Sequence, residues 1–210
     1  MYFKYGKREI EYLKSKCKKF ALVIDEIGTI KREVDTDLFS AVVHHIVAQQ
    51  ISTKAQATVW QRFENGLGKI DANTIINAGT EKLQSFGISF RKASYILDFA
   101  NKIKNKEFDL EKIWQKSDEE VVNELSKLKG VGIWTAEMLM LFCMERKNIF
   151  SYDDLAIQKG LKLVYHHREI KKPLFEKYRK KFSPYCSVAS LYLWEVANRN
   201  KRREGDSNPR

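Results

Sequence analysis

Apolar residues recur at intervals of three and four through most of the chain, and period-two alternation is hard to find after the first few residues. Such a pattern predicts an all-α protein. Leu38, Val42 and Ile46 share one helical face, with Gln49 beside them, and Ala55 to Leu67 predicts a second helix closed by Gly66 and Gly68. Asp71 is placed to cap a further helix, Ser89 to cap the one after the Gly87 turn, and Ser117 with Glu120 makes a capping box for a helix running to about Leu128. Beyond the KGVG turn, the apolar run IWTAEMLMLFCM and the segments Leu155 to Tyr165, Pro173 to Phe182 and Cys186 to Arg199 predict the remaining helices, Pro184 separating the last two. Residues 1–37 offer a helix from Glu9 to Phe20 at most and are expected to form a separate N-terminal segment. Residues 38–200 make the main domain, and 201–210 have no apolar periodicity and are expected to be a disordered basic tail.

Composition narrows the partner. The 210 residues are 43% hydrophobic, enough for a buried core, and 38 Lys and Arg against 27 Asp and Glu give a formal charge of +11. A sequence pI near 9.4 suits a polyanion, although a merely soluble basic protein is equally compatible with charge alone. Cys17, Cys143 and Cys186 are odd in number and form no Cys-x-x-Cys pair, so they predict neither a disulfide framework nor a four-thiolate cluster. No stretch approaches the ~20 apolar residues that span a bilayer, and MYFKYGKREIEYLK has no apolar signal-peptide core. The expectation is a soluble cytoplasmic protein, nucleoid-associated if its source is bacterial.

Two segments carry candidate chemistry. In LKGVGIWTAE, Leu128 to Glu137, Gly130 and Gly132 lie between a capped helix and an apolar one. Glycines there serve an ordinary αα-turn, or they let backbone amides at a helix N-terminus approach a phosphate. In IFSYDDLAIQKG, Asp153 and Asp154 immediately precede an apolar-periodic stretch. An acid in that position is an N-cap, and it can also be the carboxylate that a developing oxocarbenium ion needs beside it.

LKGVGIWTAE followed about twenty residues later by SYDDLAIQKG resembles the helix-hairpin-helix, Gly/Pro-Asp superfamily of DNA glycosylases, and within it the 3-methyladenine DNA glycosylase II branch. FSAVVHHIVAQQIS (39–52), FGISFRKASYI (86–96) and SVASLYLWEVA (187–197) extend the likeness over roughly residues 38–198. The resemblance implies two helical lobes with a DNA-binding cleft between them, Asp154 and Trp134 facing it. It further implies a monomeric enzyme of base excision repair that acts on double-stranded DNA, flips a damaged base such as 3-methyladenine out of the stack and hydrolyses its glycosidic bond.

By motif, the resemblance maps the catalytic acid onto Asp154. It maps the base pocket onto Trp134, Met138 and Trp194, the wedge that fills the vacated stack onto Gln49 and Gln50, and the phosphate contacts onto Lys129, Gly130, Gly132 and Thr135. Read as residues alone, the tryptophans are equally core packing and the glutamines the polar end of a helix. Trp134 stands two residues after Gly132, where the superfamily's lyases carry lysine, so direct hydrolysis without lyase chemistry is expected. The resemblance implies no organic cofactor and no iron–sulfur cluster, but a sodium or potassium ion at the carbonyls of Ser126, Leu128 and Val131. The chain departs from the family pattern at Lys129 in place of proline, at Met138 where a pocket tyrosine can stand, and at Cys186 where arginine is frequent; these bear on substrate range. Two other readings stay open: a non-catalytic DNA-binding hairpin module, and a glycosylase for another lesion such as 8-oxoguanine.

Overall fold

The structure, a computed structural model, describes residues 1–206. It is all-α: α1 (Lys7–Lys16), α2 (Lys18–Ile27), α3 (Leu38–Ala48), α4 (Thr53–Leu67), α5 (Ala72–Ser85), α6 (Phe90–Lys104), a short 3-10 helix (Lys112–Gln115), α7 (Asp118–Leu125), α8 (Ile133–Phe142), α9 (Leu155–Tyr165), α10 (Lys172–Phe182) and α11 (Cys186–Asp206). Among the described residues the only extended pairing is an isolated bridge between Tyr2 and Glu33. No helix among them is long and apolar enough to cross a membrane.

The local signals act as their chemistry dictates. Ser52, Asp71 and Ser89 each accept a backbone N–H three residues on, from Ala55, Thr74 and Lys92. Ser117 and Glu120 close a reciprocal box, with the Ser117 N–H donating to Glu120 Oε2 at 2.8 Å. Caps of this kind satisfy amides that no helical bond can reach, each contributing about 1 kcal/mol.

The chain divides into two compact units, one formed by Met1–Val34 with the residues from Glu145 onward, the other by Asp35–Met144. In the first, α1, α2, α9, α10 and α11 bury Leu13, Phe20, Ile24, Phe150, Ile157, Leu161, Phe175, Phe182 and Tyr192. Aromatic contacts such as Phe20 with Phe182 at 4.7 Å and Phe150 with Phe175 at 4.6 Å run through this core. In the second, α3 to α8 enclose Val42, Ile46, Phe63, Ile75, Leu83, Ile96, Phe99, Leu125 and Leu139, with Phe39 stacked on Phe99 at 4.9 Å.

The ends of the chain depart from the sequence expectation. Residues 1–34 are not a separate segment: Leu13 and Phe20, both fully buried, help build the core of the first unit. The single helix expected from Glu9 to Phe20 is two helices broken at Cys17, which is extended (φ −163°, ψ 120°). Leu13 and Phe20 are seven residues apart and would share a face of one continuous helix, which is why the pattern misleads. A break instead folds α1 back on α2, and it interrupts a run holding Lys14, Lys16, Lys18 and Lys19. At the other end, α11 continues through Asp206 where a disordered tail was expected; residues 207–210 lie outside the described residues.

Candidate functional site

The acid is built from the loop before α9 and from two helices. Asp154 is the N-cap of α9 and is only 6% exposed. Its Oδ1 accepts the N–H of Ala156 and of Ile157, both at 2.9 Å, and the indole Nε1–H of Trp194 at 3.0 Å. Capping alone accounts for the first two bonds. The third is a tertiary bond from α11, and it fixes the carboxyl plane against an aromatic side chain. Asp153, the other acid of the pair, is exposed.

Trp194 can reach Asp154 because α9 and α11 cross closely. At the crossing is Gly160, where an added Cβ would lie 2.5 Å from the backbone oxygen of Leu193. The loop leading to Asp154 is fastened to the same helix. Ser187 Oγ accepts the Ile149 N–H at 3.0 Å and donates to the Arg146 carbonyl, the Ser187 N–H donates to the Lys147 carbonyl at 3.0 Å, and Ser190 Oγ donates to the Ile149 carbonyl at 3.3 Å. Gly160, Ser187 and Ser190 lie within the motifs quoted above, but the sequence marks them only as motif members. Their partners are some 33 to 41 residues away and no periodicity announces them.

The hairpin lies wholly within the second unit. Residues 126–132 turn between α7 and α8, with the Val131 N–H on the Leu128 carbonyl at 3.0 Å. Gly130 has φ +82°, and a Cβ there would meet the Tyr95 ring at 2.5 Å, so both conformation and packing demand glycine. Gly132 caps α8 without a side chain, and open space surrounds the position a Cβ would take. The first α-helical bond of α8 runs from the Ala136 N–H to the Gly132 carbonyl, so the amides of Ile133, Trp134 and Thr135 precede it and lie at the positive end of the helix.

The other expected contacts fall less evenly. Lys129 is exposed, but its ammonium pairs with Asp98 at 2.7 Å. Thr135 is buried, at 6% exposed. Trp134 is 41% exposed on the first turn of α8, whereas Met138, one turn later, is buried at 3%. Gln49 and Gln50 differ in kind. The Gln49 amide donates to the Gly130 carbonyl at 2.6 Å, which makes it a strut to the hairpin, while Gln50 is exposed with φ +57°.

As for an ion at the turn, Ser126 Oγ is buried with no hydrogen-bond partner among the described residues, and the Leu128 carbonyl accepts the Val131 N–H. Among the described residues no cluster of three His, Cys, Asp or Glu side chains is suited to a metal. Cys143 and Cys186 are buried thiols pushed up to about 12 by loss of solvation.

Comparison with known proteins agrees with this architecture. A Schizosaccharomyces pombe DNA-3-methyladenine glycosylase is 26% identical over 168 residues, covering 76% of this chain and 72% of its own. The crystal structure of a DNA-3-methyladenine glycosidase from Bacillus halodurans superposes with a TM-score of 0.85 at 28% identity, covering 96% of this chain and 94% of that one. A Schizosaccharomyces pombe 3-methyladenine DNA glycosylase solved in complex with abasic DNA shares the fold, with a TM-score of 0.79 at 22% identity over 91% of this chain and 97% of that one. A longer Bacillus subtilis relative is 27% identical, and the chain spans 66% of its length. The model of the HhH-GPD superfamily of base excision DNA repair proteins matches residues 43–184, more than half of the chain, and the chain belongs to that family.

Proposed function

We propose that this protein is a monofunctional DNA glycosylase of base excision repair that hydrolyses the N-glycosidic bond of alkylated purines, 3-methyladenine among them, in double-stranded DNA. The observation that carries this reading is the oriented carboxyl of Asp154, capped on α9 and bonded to the indole of Trp194.

In this reading Asp154 stabilises positive charge developing on the sugar and orients the attacking water. N-methylation leaves a purine cationic and electron-poor, hence already a good leaving group, and the aromatic faces of Trp134 and Trp194 attract it by ~0.5–2 kcal/mol. Met138, buried one turn beyond Trp134, is the third base-pocket position in this reading. Amides at the start of α8, reached through Gly130 and Gly132, hold phosphate, and Gln50 fills the stack where the base leaves. Trp134 at the position of the lyases' lysine leaves no amine there for a Schiff base. A sodium or potassium ion at the turn would be held by the carbonyls of Ser126, Leu128 and Val131, an all-oxygen set suited to a hard cation; it would steady the hairpin.

The test is release of free methylpurines from methylated duplex DNA by the native protein and by Asp154→Asn. Asparagine keeps an oxygen that can accept the three N–H bonds and caps a helix as well as aspartate does, so it removes charge and little else. Native release with a loss of at least about a hundredfold in the variant, DNA binding being retained, is the expected result. Binding without release by the native protein would favour the non-catalytic module or a different lesion.

A further inference from the structure

The end of α3 is held by a side chain from another helix. The last carbonyls of a helix have no partner within it, and a cation there is favoured by the dipole as well. Lys92, third residue of α6, donates its ammonium to the carbonyl of Val47 at 2.8 Å and to that of Gln49 at 2.5 Å. Burial pushes its pKa below that of an ordinary lysine, as expected for an ammonium turned inward onto backbone oxygens. On the other side of the same turn, the Gln49 side chain is tied to the Gly130 carbonyl. Directly after these two attachments comes Gln50, exposed and in the left-handed region, a backbone conformation that residues with a Cβ rarely adopt unless their surroundings impose it.

We infer that Lys92 is the positioning residue of the wedge: by holding the Val47 and Gln49 carbonyls it keeps the turn in the one shape that presents Gln50, with Gln49 as the strut to the hairpin. Two of the three ammonium donors are occupied by carbonyls, so Lys92 acts through the turn and not as a phosphate contact. The inference rests on the reading of Gln50 as wedge. It assigns a role to the FRKASYI segment, whose lysine has no other part in the proposed reaction.

The test compares the native protein, Lys92→Met and Lys92→Arg on a duplex with 2-aminopurine beside a tetrahydrofuran abasic analogue, where fluorescence reports insertion into the stack without any chemistry. Lys92→Met is expected to slow the fluorescence change and methylpurine release in parallel, each by about tenfold, while Lys92→Arg, which restores a cation with several donors, returns both to within about threefold. The salt dependence of binding is expected to stay as in the native protein; a slope smaller by about 0.9 would make Lys92 a phosphate contact and overturn the inference. Native fluorescence kinetics in Lys92→Met would overturn it equally. If Lys92→Met loses its helical circular dichroism, Lys92→Gln, which keeps an amide donor, is judged by the same criteria. Absence of methylpurine release by the native protein would count against the glycosylase reading alone, because the fluorescence arm still judges Lys92.

Discussion

The two units differ most in charge. The unit made of residues 1–34 and 145–210 holds 25 Lys and Arg against 13 Asp and Glu, a formal +12, whereas residues 35–144 hold 13 against 14, a formal −1. All of the protein's net positive charge therefore lies in the unit that carries Asp154, and the unit that carries the hairpin is close to neutral. In the function proposed above, long-range attraction of a polyanion and local capture of a phosphate are supplied by different physics. The first depends on summed charge, is screened beyond ~8–10 Å at ordinary salt and has no direction. The second depends on a few aimed amides and on glycine geometry.

The largest expected effects come from the two glycines that set the geometry of each unit. Gly160→Ala puts a Cβ against the backbone of Leu193, which cannot yield as a side chain can. It should cost about 3 kcal/mol of stability by overpacking, read in thermal melts, and base release should fall by more than the melting shift explains because the Asp154–Trp194 bond is stretched. Gly130→Ala meets the Tyr95 ring, which can rotate, but also needs φ +82°. It should cost about 2 kcal/mol and weaken DNA binding. If Gly130→Ala left binding intact, capture by hairpin amides would be wrong.

A smaller effect is confined to the neutral unit. Burial, and secondarily the neighbouring His44, lowers the His45 pKa to about 4, whereas an unfolded histidine titrates near 6.5. Between those values the unfolded chain binds the proton and the folded chain does not, so stability falls as pH drops through the window, by about 1 kcal/mol per pH unit. His45→Gln should flatten the pH dependence of the melting temperature between pH 6.5 and 4.5; an unchanged slope would remove His45 as its cause.

The smallest effect sharpens the charge comparison. Neutralising the exposed Lys172, Lys177 and Lys180 on α10 should weaken low-salt DNA binding by about two- to tenfold and reduce its salt slope. The same number of changes at Lys104, Lys106 and Lys112 in the neutral unit should do less, Lys112 being paired with Asp109. Equal effects would mean that charge acts only through its total.

Helix type, most helix starts and the acid at the head of α9 were legible in the sequence because they depend on neighbours three or four residues away. Asp71, Ser89, Ser117 and Asp154 all cap the helices that follow them. The motifs onto which the resemblance maps hairpin, acid, wedge and pocket were readable in the sequence, but what their side chains touch was not. Lys129 turned out to pair with Asp98, Gln49 with Gly130 and Trp194 with Asp154, contacts spanning about 30 to 80 residues of chain.

The sequence by itself determined an all-α chain with excess positive charge, two glycines at a turn and an acid at a helix start, since composition, periodicity and capping are local properties. Only the tertiary structure decided that residues 1–34 complete the core around α9 and α11, and that α1 and α2 part at Cys17 although Leu13 and Phe20 keep helical spacing. It alone brought Lys92 beneath the end of α3 and Trp194 to Asp154. Burial and long-range hydrogen bonding are satisfied by whichever residues the fold brings together, and seven-residue spacing reads the same on one helix as across a turn.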